Sequence, residues 1–531
     1  MIKIENLTVA FDGKEAVKNI NLELKEGEIL GVVGESGSGK SVTALTLMGL
    51  DKEDARLISG KITFRGEVLL EAGKSRDKVL YRKYQGDRMS MIFQEPMTSL
   101  NPTQKVGKQV EEVLRLHTTL GKEQIKEKVL ETFVSVGLRD VETVYDSYPH
   151  QLSGGMRQRV MIAMAIILHP DLIVADEPTT ALDVTIQNQI IELLHKINKE
   201  QNNTMLFITH DLNLAKRICN RIAVMKDGEI VELGETKAVF ENPKEDYTRR
   251  LIEAVPSRVR KKTVSKAELA NVNGNCSSVP EDKKVIVDVK DLNVYYKEGS
   301  NSLFGSGKRR CVVEGATFQI YQGETLGLVG ESGCGKTSLC KAILGMNKNI
   351  TGEVESRIYR PQMIFQDPYS SLNPSKTIGW LLQEPLRAMG QLDVSRAMTS
   401  ADMEVAAHDM LHKVGLQDEY FDRKPFQLSG GQRQRISIGQ ALITRPALVM
   451  ADEPVSALDV TMQAQIMELM QKLQEEMKLS YLFISHDINV IYQMSDRIMV
   501  MKDGKILELG ETEEVFNHPK EEYTKQLLKE S

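Results

Sequence analysis

The chain has 531 residues, with 68 basic and 74 acidic side chains and a formal charge of −6. That near balance leaves no electrostatic footprint for nucleic acid, so none is expected as a partner. The longest apolar run, Val160–Leu168, is far short of the roughly 20 residues a spanning helix needs; it predicts a buried helix ending before Pro170.

The first half opens on a strand-like MIKIENLTVAF, in which Phe11 either stacks on an adenine ring or packs in the core. An apolar strand over Ile29–Val33 then leads into GESGSGKS (Gly34 to Ser41) and a helical VTALTLMGL. Strand, GxxxxGK[ST] and helix together are the context of a P-loop. Gly34, Ser36, Gly37 and Gly39 let backbone amides turn inward around phosphate oxygens at the helix N-terminus. Lys40 would neutralise the β- and γ-phosphates, and Ser41 would hold Mg²⁺. The segment FQEPMTSLNP follows; its Gln94 is suited to sensing Mg²⁺ or the attacking water and reporting nucleotide state. Helical spacing of Val106, Val110, Val113 and Leu114 then predicts an amphipathic segment and a helical subdomain.

LSGGMRQR places Ser153, Gly154 and Gly155 at a helix start, an exposed anion site whose bland counterpart is an ordinary cap. A second phosphate cradle in one half is redundant unless it serves a nucleotide bound by another half. LIVADE delivers two carboxylates to a strand end: Asp176 for Mg²⁺, and Glu177 to orient or deprotonate water. After the strand Met205–Ile208, His210 is placed to touch the γ-phosphate. Short apolar strands alternating with helices predict an α/β fold, a mostly parallel sheet core with a peripheral β region.

The same motifs then recur in the same order, which fixes a tandem architecture. Domains are expected over 1–256 and 283–531, each long enough to bury a core, with a linker over 257–282. Arg258, Arg260, Lys261 and Lys262 in the linker either form a solvated tether or touch phosphate or lipid headgroups. The second copy begins at VIVDVKDLNVYY, with Tyr296 in the slot of Phe11. Its P-loop supplies Gly330, Ser332, Gly333, Gly335, Lys336 and Thr337; Gln366, Ser429, Gly430, Gly431, Asp452, Glu453 and His486 complete the set. Ser153 and Ser429, Asp176 and Asp452, and His210 and His486 are each 276 positions apart. From P-loop glycine to glutamine, however, the first copy spans 60 positions and the second 36, so peripheral β structure is expected to be trimmed in the second. The five cysteines, Cys219, Cys276, Cys311, Cys334 and Cys340, form no CxxC; without a secretory leader they read as reduced cytoplasmic thiols. Cys334, inside the second P-loop, is either a tolerated small residue or a point of oxidative inactivation.

Taken together, these motifs resemble the ATP-binding-cassette (ABC) ATPases over essentially the whole chain outside the linker. The resemblance implies P-loop NTPase domains that pair head to tail within the chain, with ATP and Mg²⁺ as ligands. One site would combine Lys40, Ser41, Gln94, Asp176, Glu177 and His210 with Ser429 and Gly431. The other would combine Lys336, Thr337, Gln366, Asp452, Glu453 and His486 with Ser153 and Gly155. ALD at 181–183 and 457–459 is similar to the loop that communicates across such a pair. The SLNP segments and the closing NPKEDYTRRLIEAVP and NHPKEEYTKQLL resemble the oligopeptide/dipeptide/nickel uptake subfamily. That resemblance implies a peripheral ATPase on the cytoplasmic face of the cell membrane, beneath two transmembrane permease subunits fed by an extracytoplasmic binding protein. Several members carry a cysteine cluster after the first cassette; Cys276 alone cannot build one, so no iron–sulfur centre is expected. The alternative reading is a soluble tandem-cassette ATPase acting on ribosomes, disfavoured by the short, aperiodic linker.

Overall fold

Each half is built on short strands whose residues are apolar at every position, a pattern that requires cover on both faces of the sheet. The computed structural model describes residues 1–51, 54–74, 78–180, 182, 184–256, 284–297, 309–456 and 458–529. The chain divides into two compact units; the first spans Met1–Val255 and the second begins at Pro256. The expected linker and its basic cluster lie outside the described residues.

In the first unit a six-stranded sheet runs in the order Glu229–Glu235, Arg221–Lys226, Ile29–Val33, Thr204–Thr209, Leu172–Asp176, Met89–Ile92. All neighbours are parallel except the edge strand Glu229–Glu235. Side chains alternate across a strand, and the core divides accordingly. Ile29, Val33, Ile173, Ala175, Met205 and Phe207 point into a cluster shared with the helical subdomain. Leu30, Val32, Leu172, Val174, Leu206 and Ile208 point into the opposite cluster. There they meet Ile2, Ile4, Leu22 and Phe64 of an antiparallel sheet ordered Lys14–Leu24, Ile2–Phe11, Ala55–Phe64, Glu67–Glu71.

The second unit repeats the six-stranded sheet as Gln362–Ile364, Leu448–Asp452, Ser480–Ser485, Thr325–Val329, Arg497–Lys502, Lys505–Glu511. Its peripheral sheet has three strands among the described residues: Arg309–Tyr321, Val285–Lys297 and Ile350–Ser356. The unequal spacing has its cause here. The first unit inserts the strand Glu67–Glu71 and the helix Lys78–Tyr84 before Met89; the second passes from Ile350–Ser356 to Gln362–Ile364.

The helical subdomains occupy the expected stretches. Val106–His117 buries Val106, Val110 and Leu114 against Gly154–Ile166 and its neighbours. Ile378–Leu392 is its second-unit counterpart. The run that begins at Val160 lies in the helix Gly154–Ile166, ahead of Pro170. Among the described residues no helix is long and apolar enough to cross a membrane.

Candidate functional site

In each unit the chemistry converges where the parallel strands end. Strand Ile29–Val33, buried throughout, feeds Gly34, and the chain re-enters helix at Lys40–Met48. Only glycine fits at the entry: a Cβ on Gly34 would lie 2.1 Å from the Met225 carbonyl oxygen, and on Gly330 2.1 Å from that of Met501. Gly39 and Gly335 cap the following helices in left-handed conformations, φ 100° and 110°, which L side chains resist. Ser36, Gly37, Ser332 and Gly333 form the exposed lip of the loop.

The lysines are buried and folded back into the loop. Lys40 Nζ donates to the carbonyls of Gly34 and Glu35, both at 2.8 Å; Lys336 Nζ does the same to Gly330 at 2.7 Å and Glu331 at 2.9 Å. Burial pulls the Lys40 ammonium below its usual range, opposed by Glu177 and other nearby carboxylates. An anion in the loop would relieve that cost.

Ser41 Oγ donates to Asp176 at 3.0 Å, and Thr337 Oγ1 to Asp452 at 2.8 Å. A hydroxyl and a carboxylate held side by side are the hard-oxygen donors that Mg²⁺ takes, with its remaining positions left to phosphate and water. Burial pushes Asp176 up to about 6, and raises Asp452 as well. A cation bound there would restore the ionised form.

The glutamates are the hubs. Gln94 Nε2 donates to Glu177 Oε2 at 2.9 Å, and His210 Nδ1 lies 3.1 Å from the same oxygen. Gln366 and His486 address Glu453 Oε2 at the same 2.9 and 3.1 Å. Burial opposes ionisation of both glutamates, but the histidine hydrogen bond and charge outweigh it and hold them below the usual range. Burial likewise opposes protonation of His210 and His486, and the glutamates outweigh it to raise both. Glu177 and Glu453 also sit at φ 46° and 48°, a costly conformation for glutamate repeated in both units.

Other expected residues sit apart from this cluster. Ser153 and Ser429 are N-caps of Gly154–Ile166 and Gly430–Leu442, their hydroxyls accepting from Met156 N and Gln432 N. In the second unit Gln432 also reaches back to Ser429 N at 2.9 Å, a capping box that Met156 cannot form. Among the described residues Ser153, Gly154 and Gly155 make no hydrogen bond to the P-loop of their own unit. Phe11, half-buried at its strand end, packs against the peripheral core, whereas Tyr296 exposes 41 % of its surface. Of the ALD loops, residues 181, 183 and 457 lie outside the described residues.

Cys334 is 8 % exposed and joins the core beneath the loop, and burial raises its thiol. A buried thiol held above its ordinary value has little thiolate character, which favours packing over oxidative inactivation as its role. Cys276 lies outside the described residues.

Two contacts escaped the sequence reading. Tyr247 and Tyr523, in the closing segments, accept hydrogen bonds at 3.3 Å from the P-loop amides of Glu35 and Glu331. Lys226 and Lys502 lie over the two rings at 5.0 and 4.5 Å. The tyrosines are 276 positions apart, the same spacing as the glutamates Glu177 and Glu453 and the histidines His210 and His486, which is the signal that could have tied them to the site.

Comparison with known proteins matches the ABC transporter family model to residues 17–180 and 313–456, which hold the P-loop, glutamine, SGG and carboxylate pair of each copy. The chain belongs to the ABC transporter family. It is an ATPase of the ABC type, with two cassette segments in one chain and hydrolysis coupled to transport. A second model, oligopeptide/dipeptide transporter, C-terminal region, matches residues 231–281, including Tyr247. The chain is 40 % identical to an uncharacterized ABC transporter ATP-binding protein, YejF, of Escherichia coli, covering 99 % of both chains. It is 40 % identical to the glutathione import ATP-binding protein GsiA of Pectobacterium atrosepticum, over 99 % of this chain and 89 % of the relative. The peptidoglycan transport ATP-binding protein YejF of Agrobacterium fabrum is 38 % identical over 99 % and 96 %. A solved complex of archaeal ribosomal stalk protein aP1 with ribosome recycling factor aABCE1 holds a chain matching at TM-score 0.61 and 21 % identity, covering 95 % of this ABC ATPase and 90 % of that chain; the likeness is one of fold.

Proposed function

We propose that this ABC ATPase drives an importer for peptides or peptide-like molecules from the cytoplasmic face of the membrane. It works beneath two permease subunits that receive cargo from an extracytoplasmic binding protein. The observation that carries the reading is the duplicated glutamate hub on a chain whose 231–281 segment matches the oligopeptide/dipeptide transporter model. Relatives named for glutathione import, a tripeptide, and for peptidoglycan transport support peptide-like cargo.

Two hydrolytic sites follow from the chain's own residues. Lys40 and Lys336, released from their loop carbonyls, meet the β/γ-phosphates. Ser41 with Asp176, and Thr337 with Asp452, would hold Mg²⁺, with Gln94 and Gln366 as the residues that would sense it. When bound, Mg²⁺ neutralises charge on the transferring phosphate. Glu177 and Glu453 orient the attacking water and accept its proton. The glutamine and histidine on Oε2 fix each carboxylate's orientation, and the histidine also reaches the γ-phosphate. The exposed Ser153 and Ser429 at the SGG helix starts support intramolecular head-to-tail pairing in which Ser429 and Gly431 complete the first site and Ser153 and Gly155 the second.

Steady-state ATP hydrolysis of Glu177→Gln and Glu453→Gln tests the mechanism: each should lower turnover by about half or more, and the double substitution by about 10²-fold or more, since general-base assistance is worth roughly 10²–10⁴ at each site. A silent substitution at either position would remove the two-site reading. Co-fractionation with membranes, and not co-sedimentation with ribosomes, tests the transport assignment.

A further inference from the structure

At the entry edge of its sheet, the first unit neutralises two arginines internally. Asp171 pairs with Arg65 at 3.0 Å and with Arg88 at 3.4 Å. The second unit rewrites this corner. By the spacing of the repeat, Arg88 corresponds to Arg360, but Asp171 becomes Ala447 and His169 becomes Arg445. One carboxylate is lost and one guanidinium gained.

A cavity of about 330 Å³ opens at that place, lined by Arg360, Arg396 and Arg445 with Tyr359, Met389 and Leu392. The guanidinium carbons of Arg396 and Arg360 lie 4.2 and 5.1 Å from the centre of the Tyr359 ring. Among the described residues no carboxylate lines the cavity. Asp393, outside the lining, pairs with Arg396 at 3.4 Å and accepts from Ser395 Oγ at 2.6 Å. Thr444, also in the lining, has its hydroxyl oxygen buried with no hydrogen-bond partner. The cavity sits where Gln362–Ile364 and Leu448–Asp452 begin, at the opposite strand ends from Gln366 and Glu453. It is therefore separate from the nucleotide half-site.

We propose that this cavity binds a small oxyanion, a carboxylate or a phosphate monoester, carried on a flat or apolar body. Asp393 offsets part of the positive charge, chiefly at Arg396, but Ala447 leaves the corner without Asp171's equivalent, and an oxyanion replaces the charge removed. Planar guanidinium forks match both carboxylate and phosphate oxygens. The Tyr359 face and the Met389 and Leu392 side chains take the body.

The test uses the full chain saturated with ADP and Mg²⁺, so that both P-loops are filled. Titration calorimetry with benzene-1,3,5-tricarboxylate and with phenyl phosphate should show saturable binding of at least one of them, at one site per chain, with Kd below about 1 mM. The tighter probe names the head group. Ala447→Asp and Arg445→His install the residues the first unit already accommodates, and each should weaken binding at least tenfold while melting temperature and ATP hydrolysis stay unchanged. Failure of both probes to saturate by about 10 mM, or undiminished binding in Ala447→Asp, overturns the proposal.

Discussion

The hydroxyl of Tyr247 is a lever on the P-loop that can be removed without disturbing much else. In Tyr247→Phe the ring stays under Lys226 and only the acceptor for Glu35 N is lost. Burial raises the phenol to about 12, so the group being removed is a neutral hydroxyl over the working pH range. A net neutral hydrogen bond is worth about 1 kcal/mol, and Glu35 is half-buried, so water partly replaces the lost partner. The loop should therefore be less well held for phosphate by about 1 kcal/mol, which is roughly fivefold in ATP affinity at that site. Tyr523→Phe should act likewise through Glu331 on the second site. The assay is fluorescent-ATP binding on the Glu177→Gln/Glu453→Gln background, which holds hydrolysis off, with kcat measured separately on the wild-type background. Weakened binding with near-normal kcat is expected, because neither hydroxyl touches the glutamate hub. Wild-type affinity in the double Phe variant, or a fall in kcat at unchanged affinity, refutes the link between the closing segment and the loop.

The histidine–glutamate pairs set a pH signature on nucleotide-free stability. The raised histidine stabilises fully below its ordinary 6.5 and ceases to do so as pH climbs through its higher folded value. The depressed glutamate stabilises above its ordinary 4.5 and ceases to do so as pH falls through its lower folded value. The melting-temperature gap between wild type and His210→Gln/His486→Gln should thus be widest between 4.5 and 6.5 and close toward alkaline pH. Peroxide treatment should inactivate wild type and Cys334→Ser at equal rates, because that thiol is buried and protonated. Gly34→Ala and Gly330→Ala, with a Cβ driven against a carbonyl oxygen at 2.1 Å, should each cost ATP affinity tenfold or more at their own site, measured in the same binding assay.

What was legible in the sequence is what rests on local chemistry. A continuous apolar run leading into GxxxxGK[ST] and a helix is the context of a phosphate loop, and Ile29–Val33 with Lys40–Met48 has that form. Unequal P-loop-to-glutamine spacing located the trimmed peripheral region. The convergence of Gln94, Glu177 and His210 on one carboxylate oxygen was not legible, since these residues reach it from three separate segments of the sheet edge. Nor was the left-handed backbone at Glu177, because nothing in a glutamate followed by proline demands it. Tyr247 and Tyr523 were visible as residues of the closing segments, but their contact depends on a helix folding back to the P-loop, which periodicity alone does not position.

The two copies keep some features and vary others, and the division bears on how many sites turn over. A copy released from hydrolysis has no reason to retain a strained glutamate backbone, yet φ is 46° in one and 48° in the other. It has no reason to retain the hub either, yet glutamine and histidine stand at 2.9 and 3.1 Å in both. Strain repeated without use would cost stability in each unit for no return. The differences gather elsewhere: in the peripheral strands, in Met156 against Gln432 at the SGG helix, and in the Asp171-to-Ala447 exchange. A constant glutamate hub with divergence around it is what two hydrolysing centres would require, their surroundings fitted to different neighbours.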